Sequence, residues 1–170
     1  MRLGFFTYPW DLLDEGPEAA VEAMAGQFGC NAIALNANYH HARLLRPRAV
    51  GPKTLQLPGA VAAFQPQANL YPDDSLMPVP EPGLVEAGVL ARARETSARE
   101  GLDFGLWTVG LHNSTLGERN RHLCRVICFG DCYTYSLCPS HEPVQALLQG
   151  IVRDLCDQFQ PDRIIQEAVG

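Results

Sequence analysis

A carboxyl group closing a short apolar run is well placed for acid/base chemistry. Glu167 ends Ile164-Ile165-Gln166-Glu167, and at the mouth of a strand its proton affinity can be tuned by burial and by neighbouring groups. Trp107 leads into Leu111-His112-Asn113. An aromatic face followed by two hydrogen-bonding side chains is the make-up of a subsite for a sugar or another polar ligand. Tyr39-His40-His41 follows Asn36-Ala37-Asn38. A histidine there can position substrate, move a proton near neutral pH or bind a metal. Adjacent residues on extended chain face opposite sides, so one of the two histidines is expected to act, not both on one ion. Asp131 is a spare acid after the third apolar run, and Gln166 stands beside Glu167. Each residue also has a plainer reading: a solvated terminal Glu, a tryptophan packed on a helix, polar residues in a loop.

Cys124, Cys128, Cys132 and Cys138 lie close to His122 in the pattern C-x3-C-x3-C-x5-C. Paired C-x2-C zinc knuckles and the usual iron–sulfur runs have other spacings. The thiols therefore read as small apolar side chains, with a divalent metal as the minor alternative and no other cofactor expected. Neither a G-x-S-x-G nucleophile elbow nor a Walker loop is present. Arg43, Arg46 and Arg48 can meet a carboxylate or phosphate, or simply form a solvated loop face.

These residues have to be positioned by an alternation of short apolar runs and longer helical stretches. Residues 3–8 read as a strand. Pro17 starts a helix that runs to about Phe28 and stops at Gly29, with Ala20, Val21, Met24 and Phe28 as its apolar stripe. Residues 32–35 form a second strand, 84–100 a second helix, 104–109 a third strand, 142–159 a third helix and 164–166 a last strand. The order is βαβαβαβ in one α/β domain over residues 1–170. Such alternation implies parallel strands joined by right-handed crossovers. Long loops at about 36–83 and 110–140 leave strand C-terminal ends, while the loops entering strands are short, as in α/β enzymes whose sites sit at that end. The first long loop carries Pro47, Pro52, Pro58, Pro66, Pro72, Pro78, Pro80 and Pro82 and reads as a stiffened lid over the site.

Two architectures fit this order: half of a TIM-type (β/α)8 barrel, or a four-stranded open parallel sheet. A full barrel takes about 250 residues, and the first loop has no G-x-G-x-x-G turn, so the half barrel is preferred. It would leave two strand edges needing cover.

Composition narrows the partners. With 170 residues, 46% of them apolar, the chain can bury a core. A net charge of −6 without a dense Lys/Arg run argues against nucleic acid. No stretch approaches the roughly 18 apolar residues of a membrane span. Residues 1–7 lack the long apolar core of a signal peptide, which points to a cytoplasmic protein with reduced thiols.

Trp107, His112-Asn113, Phe129-Gly130-Asp131, Tyr135-Ser136-Leu137-Cys138-Pro139-Ser140, Gln166-Glu167 and Tyr39-His40 together resemble a group of bacterial glycoside-hydrolase-like (β/α)8 barrel proteins, over the amino-terminal half of that barrel. The resemblance implies carbohydrate as ligand and Glu167, in place of the family's Glu after Asn, as the general acid/base. Tyr39, His40, Trp107, His112, Asn113, Asp131 and Gln166 would bind substrate. The nucleophilic carboxylate of that clan comes from a seventh strand without counterpart here, and retaining hydrolysis needs two carboxyls about 5 Å apart. Three functions stay open: a glycosidase-like protein incomplete as a stand-alone catalyst, a metal-dependent sugar isomerase using His40 or His112 with Glu167, and a non-catalytic half barrel that binds sugar, forms a homodimer or pairs with a complementing half.

Overall fold

The computed structural model describes residues 2–169. The main sheet is built from β1 (Gly4–Thr7), β2 (Ala32–Tyr39), β6 (Asp103–Val109) and β9 (Arg163–Glu167), parallel and side by side in chain order. Between β1 and β2 lie α1 (Pro9–Glu15) and α2 (Pro17–Gly26). The second connection carries the hairpin of β3 (Ala42–Leu45) and β4 (Thr54–Leu57), then β5 (Val61–Ala62), α3 (Pro82–Glu86) and α4 (Val89–Glu100). β5 pairs antiparallel with the end of β2. The third connection holds α5 (Ser114–Arg119), the hairpin of β7 (Cys124–Val126) and β8 (Cys132–Leu137), and α6 (Glu142–Phe159). The fold is α/β with a parallel sheet, as expected. Among the described residues the sheet does not close into a barrel, and β1 and β9 are its free edges.

Register explains the two faces. Ile33 and Leu35 of β2 stand beside Phe104 and Leu106 of β6, and all four are buried in one cluster with Val21 and Met24 of α2, Val89, Leu90 and Ala93 of α4, and Val144, Leu147 and Ile151 of α6. α2 packs on α4 and α4 on α6, so these helices line one side of the sheet in order. Residues of the opposite parity form the other face. Phe6, Ala34, Gly105 and Arg163 lie in one row across it, with Trp107 and Ile165 in the next. Phe6 remains 60% exposed there. Arg163 and Arg2 both pair with Asp103 at the strand-start end of this face.

Several elements differ from the sequence expectation for identifiable reasons. α1 begins with Pro9 at its first position and buries Trp10 and Leu12, and Gly16 (φ +83) separates it from α2. Phe28 lies beyond the end of α2 and is exposed. The expected helix over 84–100 is interrupted at Gly88, whose left-handed φ of +60 divides α3 from α4. β2 runs four residues past Leu35 because Asn36 and Asn38 turn their amides onto backbone. Asn38 Nδ2–H donates to Val109 O at 2.9 Å and its Oδ1 accepts from Val109 N at 3.1 Å, which continues the β2–β6 ladder past a register shift.

The Pro-rich segment, expected as a stiffened lid, is anchored to α1 and to α6. The chain after β3 is tied to α1 by Arg46 Nε–H donating to Asp14 at 2.7 Å and by Arg48 donating to Glu15 at 3.1 Å. Further on, Asp154 of α6 is fully buried. It accepts from Gln67 N (3.0 Å), Gln67 Nε2 (2.9 Å), Tyr71 Oη (2.7 Å) and Gln158 Nε2 (2.6 Å). A buried carboxylate is tolerated when its lone pairs are this fully used. Gly150 makes the contact sterically possible, since a Cβ there would come 2.5 Å from Leu70 O.

Candidate functional site at the strand C-terminal ends

Val109 lies beside Glu167 and Trp107 beside Ile165, so Trp107 and Glu167 share the uncovered face. The indole Nε1–H of Trp107 donates to Glu167 Oε2 at 2.8 Å. Glu167 is exposed and Trp107 half-buried, leaving the bonded pair open to solvent. Phe6 from β1 meets Trp107 edge-on at 5.8 Å between ring centres.

Tyr8, immediately after β1, completes the cluster. Its ring lies 5.3 Å from Trp107 and 5.1 Å from Tyr39, and it stacks on Trp10 at 5.0 Å. Tyr8 Oη–H donates to Tyr39 Oη at 3.2 Å. Burial above all, then the bond to Tyr39 and the charges of Glu167 and Asp11, holds the Tyr8 phenol well above its ordinary pKa. Tyr8 therefore remains a proton donor across the physiological range. Three strands thus contribute aromatic rings to one cluster, and the fourth contributes a carboxylate.

His40 extends the cluster outward. Its ring stacks on Tyr39 at 4.3 Å, and Nδ1 lies 2.6 Å from His41 O. A carbonyl can only accept, so Nδ1 carries the proton and Nε2 holds the lone pair of the neutral ring. His112 approaches His40 edge-on at 6.2 Å. The two rings, with His41, Ser114 and Tyr135, line a cleft of about 220 Å³.

The remaining sequence candidates fall elsewhere. Asn113 is buried; its Oδ1 accepts from Leu116 N at 2.9 Å as the N-cap of α5, and its N–H donates to Tyr135 O at 3.1 Å. The fold uses this residue to join the helix to β8. Gln166 has the opposite parity to Glu167 on β9 and points to the other side of the sheet. Asp131 is exposed at the turn of the β7–β8 hairpin, where its carbonyl accepts from Ile127 N at 3.0 Å.

Cys124 and Cys132 come within side-chain reach of each other in the hairpin, but the four cysteines do not gather at one point among the described residues. Cys124 is buried, Cys138 half-buried, and Cys128 and Cys132 exposed. Burial above all pushes the Cys124 thiol up to about 11, whereas hydrogen bonds from Ser140 lower that of Cys138. Among the described residues no three His, Cys, Asp or Glu side chains are grouped to hold a metal ion.

Sequence reasoning missed Tyr8, Phe6 and the hairpin residues Arg125 and Tyr133, and named Tyr135 only within the string that carries the resemblance, not as a site residue. The signal for Tyr8 was an aromatic at the end of the first apolar run, the argument used for Trp107. For the hairpin it was the period-two pattern Tyr133, Tyr135, Leu137.

A hydrogen-bonded carboxylate beside a half-exposed indole and a protonated phenol can do two things. The ring faces can stack on the C–H face of a sugar while the oxygens and nitrogens hold hydroxyls. The carboxyl can exchange a proton with a bound group within reach. No family model matches the chain, and no curated protein is found to resemble it. No helix among the described residues is long and apolar enough to cross a membrane.

Proposed function

We propose that this chain forms half of a TIM-type barrel that binds carbohydrate at the C-terminal ends of its strands. Chain-order parallel pairing without reversal, helices along one side, and long connections leaving the strand ends all support the half barrel. A doubly wound sheet would reverse its strand order at a switch point. The observation that carries the ligand reading is the Trp107 Nε1–H to Glu167 bond, standing in a cluster of Phe6, Tyr8 and Tyr39 on the uncovered face.

Glu167 is the acid/base candidate of a glycosidase-like reaction, with Trp107 fixing its orientation. Retaining hydrolysis needs a second carboxyl about 5 Å away. Asp131 sits on an exposed hairpin turn, so binding is assigned to this face first, and turnover depends on a carboxylate from another source. Calorimetric titration of wild-type and Trp107→Ala protein with neutral and acidic oligosaccharides tests the reading. Saturable binding weakened at least about tenfold by the substitution is expected, whereas no binding of any glycan would overturn it.

A second reading concerns assembly. Leu3, Phe5 and Phe6 at the β1 edge are 41%, 44% and 60% exposed, and unpaired strand edges invite further pairing. A second copy or a complementing half barrel would cover them. Sedimentation that gives a monomer at every concentration would count against the self-pairing form.

A further inference from the structure

The loop cleft of the β7–β8 hairpin is built differently from the strand-tip cluster. Arg125 stands directly opposite Tyr133 in the hairpin, so it shares a face with Tyr133 and, two residues on, Tyr135. The two tyrosine rings stack at 5.1 Å between centres and 23° between planes, and they are 37% and 54% exposed. With His112, Ser136 and Ser140 they line a cleft of about 600 Å³.

Arg125 Nε is buried without a hydrogen-bond partner, and the guanidinium makes no ion pair among the described residues. Arg46, Arg92 and Arg99, by contrast, each hold a carboxylate. A guanidinium kept bare in a chain of net charge −6 is a strong anion receptor, and its fork matches a carboxylate. The hairpin is fixed in place for this role. Tyr135 O accepts from Asn113 N at 3.1 Å, and Leu137 N–H donates to Leu111 O at 3.0 Å. Gly117 of α5 lies so close beneath β8 that a Cβ would stand 1.7 Å from Thr134 O.

His112 and Tyr135 line both this cleft and the His40 cleft. The two clefts therefore lie next to each other, separated by these two side chains.

We propose that the Arg125–Tyr133–Tyr135 cleft is a subsite for an acidic sugar residue, a uronate, with the tyrosine faces meeting the ring and the guanidinium taking its carboxylate. This rests on the carbohydrate reading above and names the class of glycan. The exposed Ser140 hydroxyl at the cleft wall suits a ring hydroxyl of the same residue.

Short oligogalacturonate, oligoglucuronate and oligomannuronate, each paired with its methyl ester, are titrated calorimetrically into wild-type, Arg125→Gln, Arg125→Lys and Tyr135→Ala proteins. At least one acid form should bind roughly tenfold to a hundredfold tighter than its ester. Arg125→Gln should abolish that preference while the ester still binds. Arg125→Lys, which keeps the charge without the fork, should retain part of it and guards against a merely misfolded hairpin. Tyr135→Ala should weaken both forms alike. Equal binding of acid and ester, or a preference unchanged in Arg125→Gln, overturns the uronate subsite and leaves the carbohydrate reading standing. Failure of all these glycans and of neutral oligosaccharides to bind overturns both.

Discussion

Asp154 and Glu167 are carboxylates in opposite circumstances. Asp154 is fully buried on α6 and is met by three side-chain donors and one backbone N–H, pinning residues 67–71 to the helix. Glu167 is exposed at the tip of β9 and, among the described residues, receives a single side-chain bond, from Trp107. The first is occupied by the fold. The second keeps lone pairs free beside rings that also remain open, which is the condition for meeting a ligand. Charge alone does not separate the two residues; the number and source of donors do.

Removing one carboxylate or the other is the strongest way to break this contrast. Asp154→Ala strands the buried Tyr71 hydroxyl and releases the segment that Gln67 ties to the helix, and unfolding in denaturant should show a loss of about 1–3 kcal/mol. Glu167→Gln should shift the same curve by no more than about 0.5 kcal/mol. Comparable losses at the two sites would erase the distinction.

The next effect is on ligand affinity. Trp107→Phe keeps a ring but deletes the Nε1–H, so Glu167 loses its orienting donor. Glycan binding should weaken about tenfold, and Asp154→Asn, provided it folds, should leave that affinity unchanged.

Alkaline stability sharpens the structural side. Desolvation and the bond to Asp154 raise the Tyr71 phenol well above its normal value, and burial takes Cys124 from 9.0 to about 11. Both groups are neutral when protonated, and both pKa values are higher folded than unfolded. Their contribution is therefore complete below the unfolded values and is lost as pH rises through the folded ones. Melting temperature should fall above about pH 9, and Cys124→Ala should flatten part of that fall. A flat alkaline profile in the wild type would contradict the burial of both.

The smallest effect is one of rates. Ser140 hydrogen bonds lower the Cys138 thiol while Cys124 is raised, so alkylation near pH 8, followed by peptide mass spectrometry, should label Cys138 well before Cys124. The reverse order would mean the hairpin packs differently.

How much of this could be read from sequence depends on where hydrogen bonds go. The buried strands announced themselves because Ile33, Leu35, Phe104 and Leu106 are apolar on a helix-facing row. Glu167 and Trp107 were legible as strand-end residues, although only the register between β6 and β9 reveals that they bond. The end of β2 was not legible, since Asn36 and Asn38 look like loop residues until their amides are seen closing backbone bonds. Asn113 misleads in the opposite sense: a polar residue beside a histidine suggests a ligand contact, yet its oxygen caps α5. The tie between Asp154 and Gln67 spans 87 positions, beyond any local pattern. Arg125 was hidden by its neighbours, because the cysteines of 124–138 draw attention to metal chemistry while the tyrosines alternate quietly on the other face.

The most direct test of the strand-end site follows the two indole N–H signals by NMR during titration with an oligosaccharide that calorimetry shows to bind. The chain has two tryptophans; Trp10 is 4% exposed and Trp107 is half-exposed and bonded to Glu167. The Trp107 signal should move saturably with glycan and be displaced from its starting position in Glu167→Gln, with Trp10 moving far less. A glycan that saturates the protein without shifting the Trp107 indole would contradict a binding face at Trp107 and Glu167.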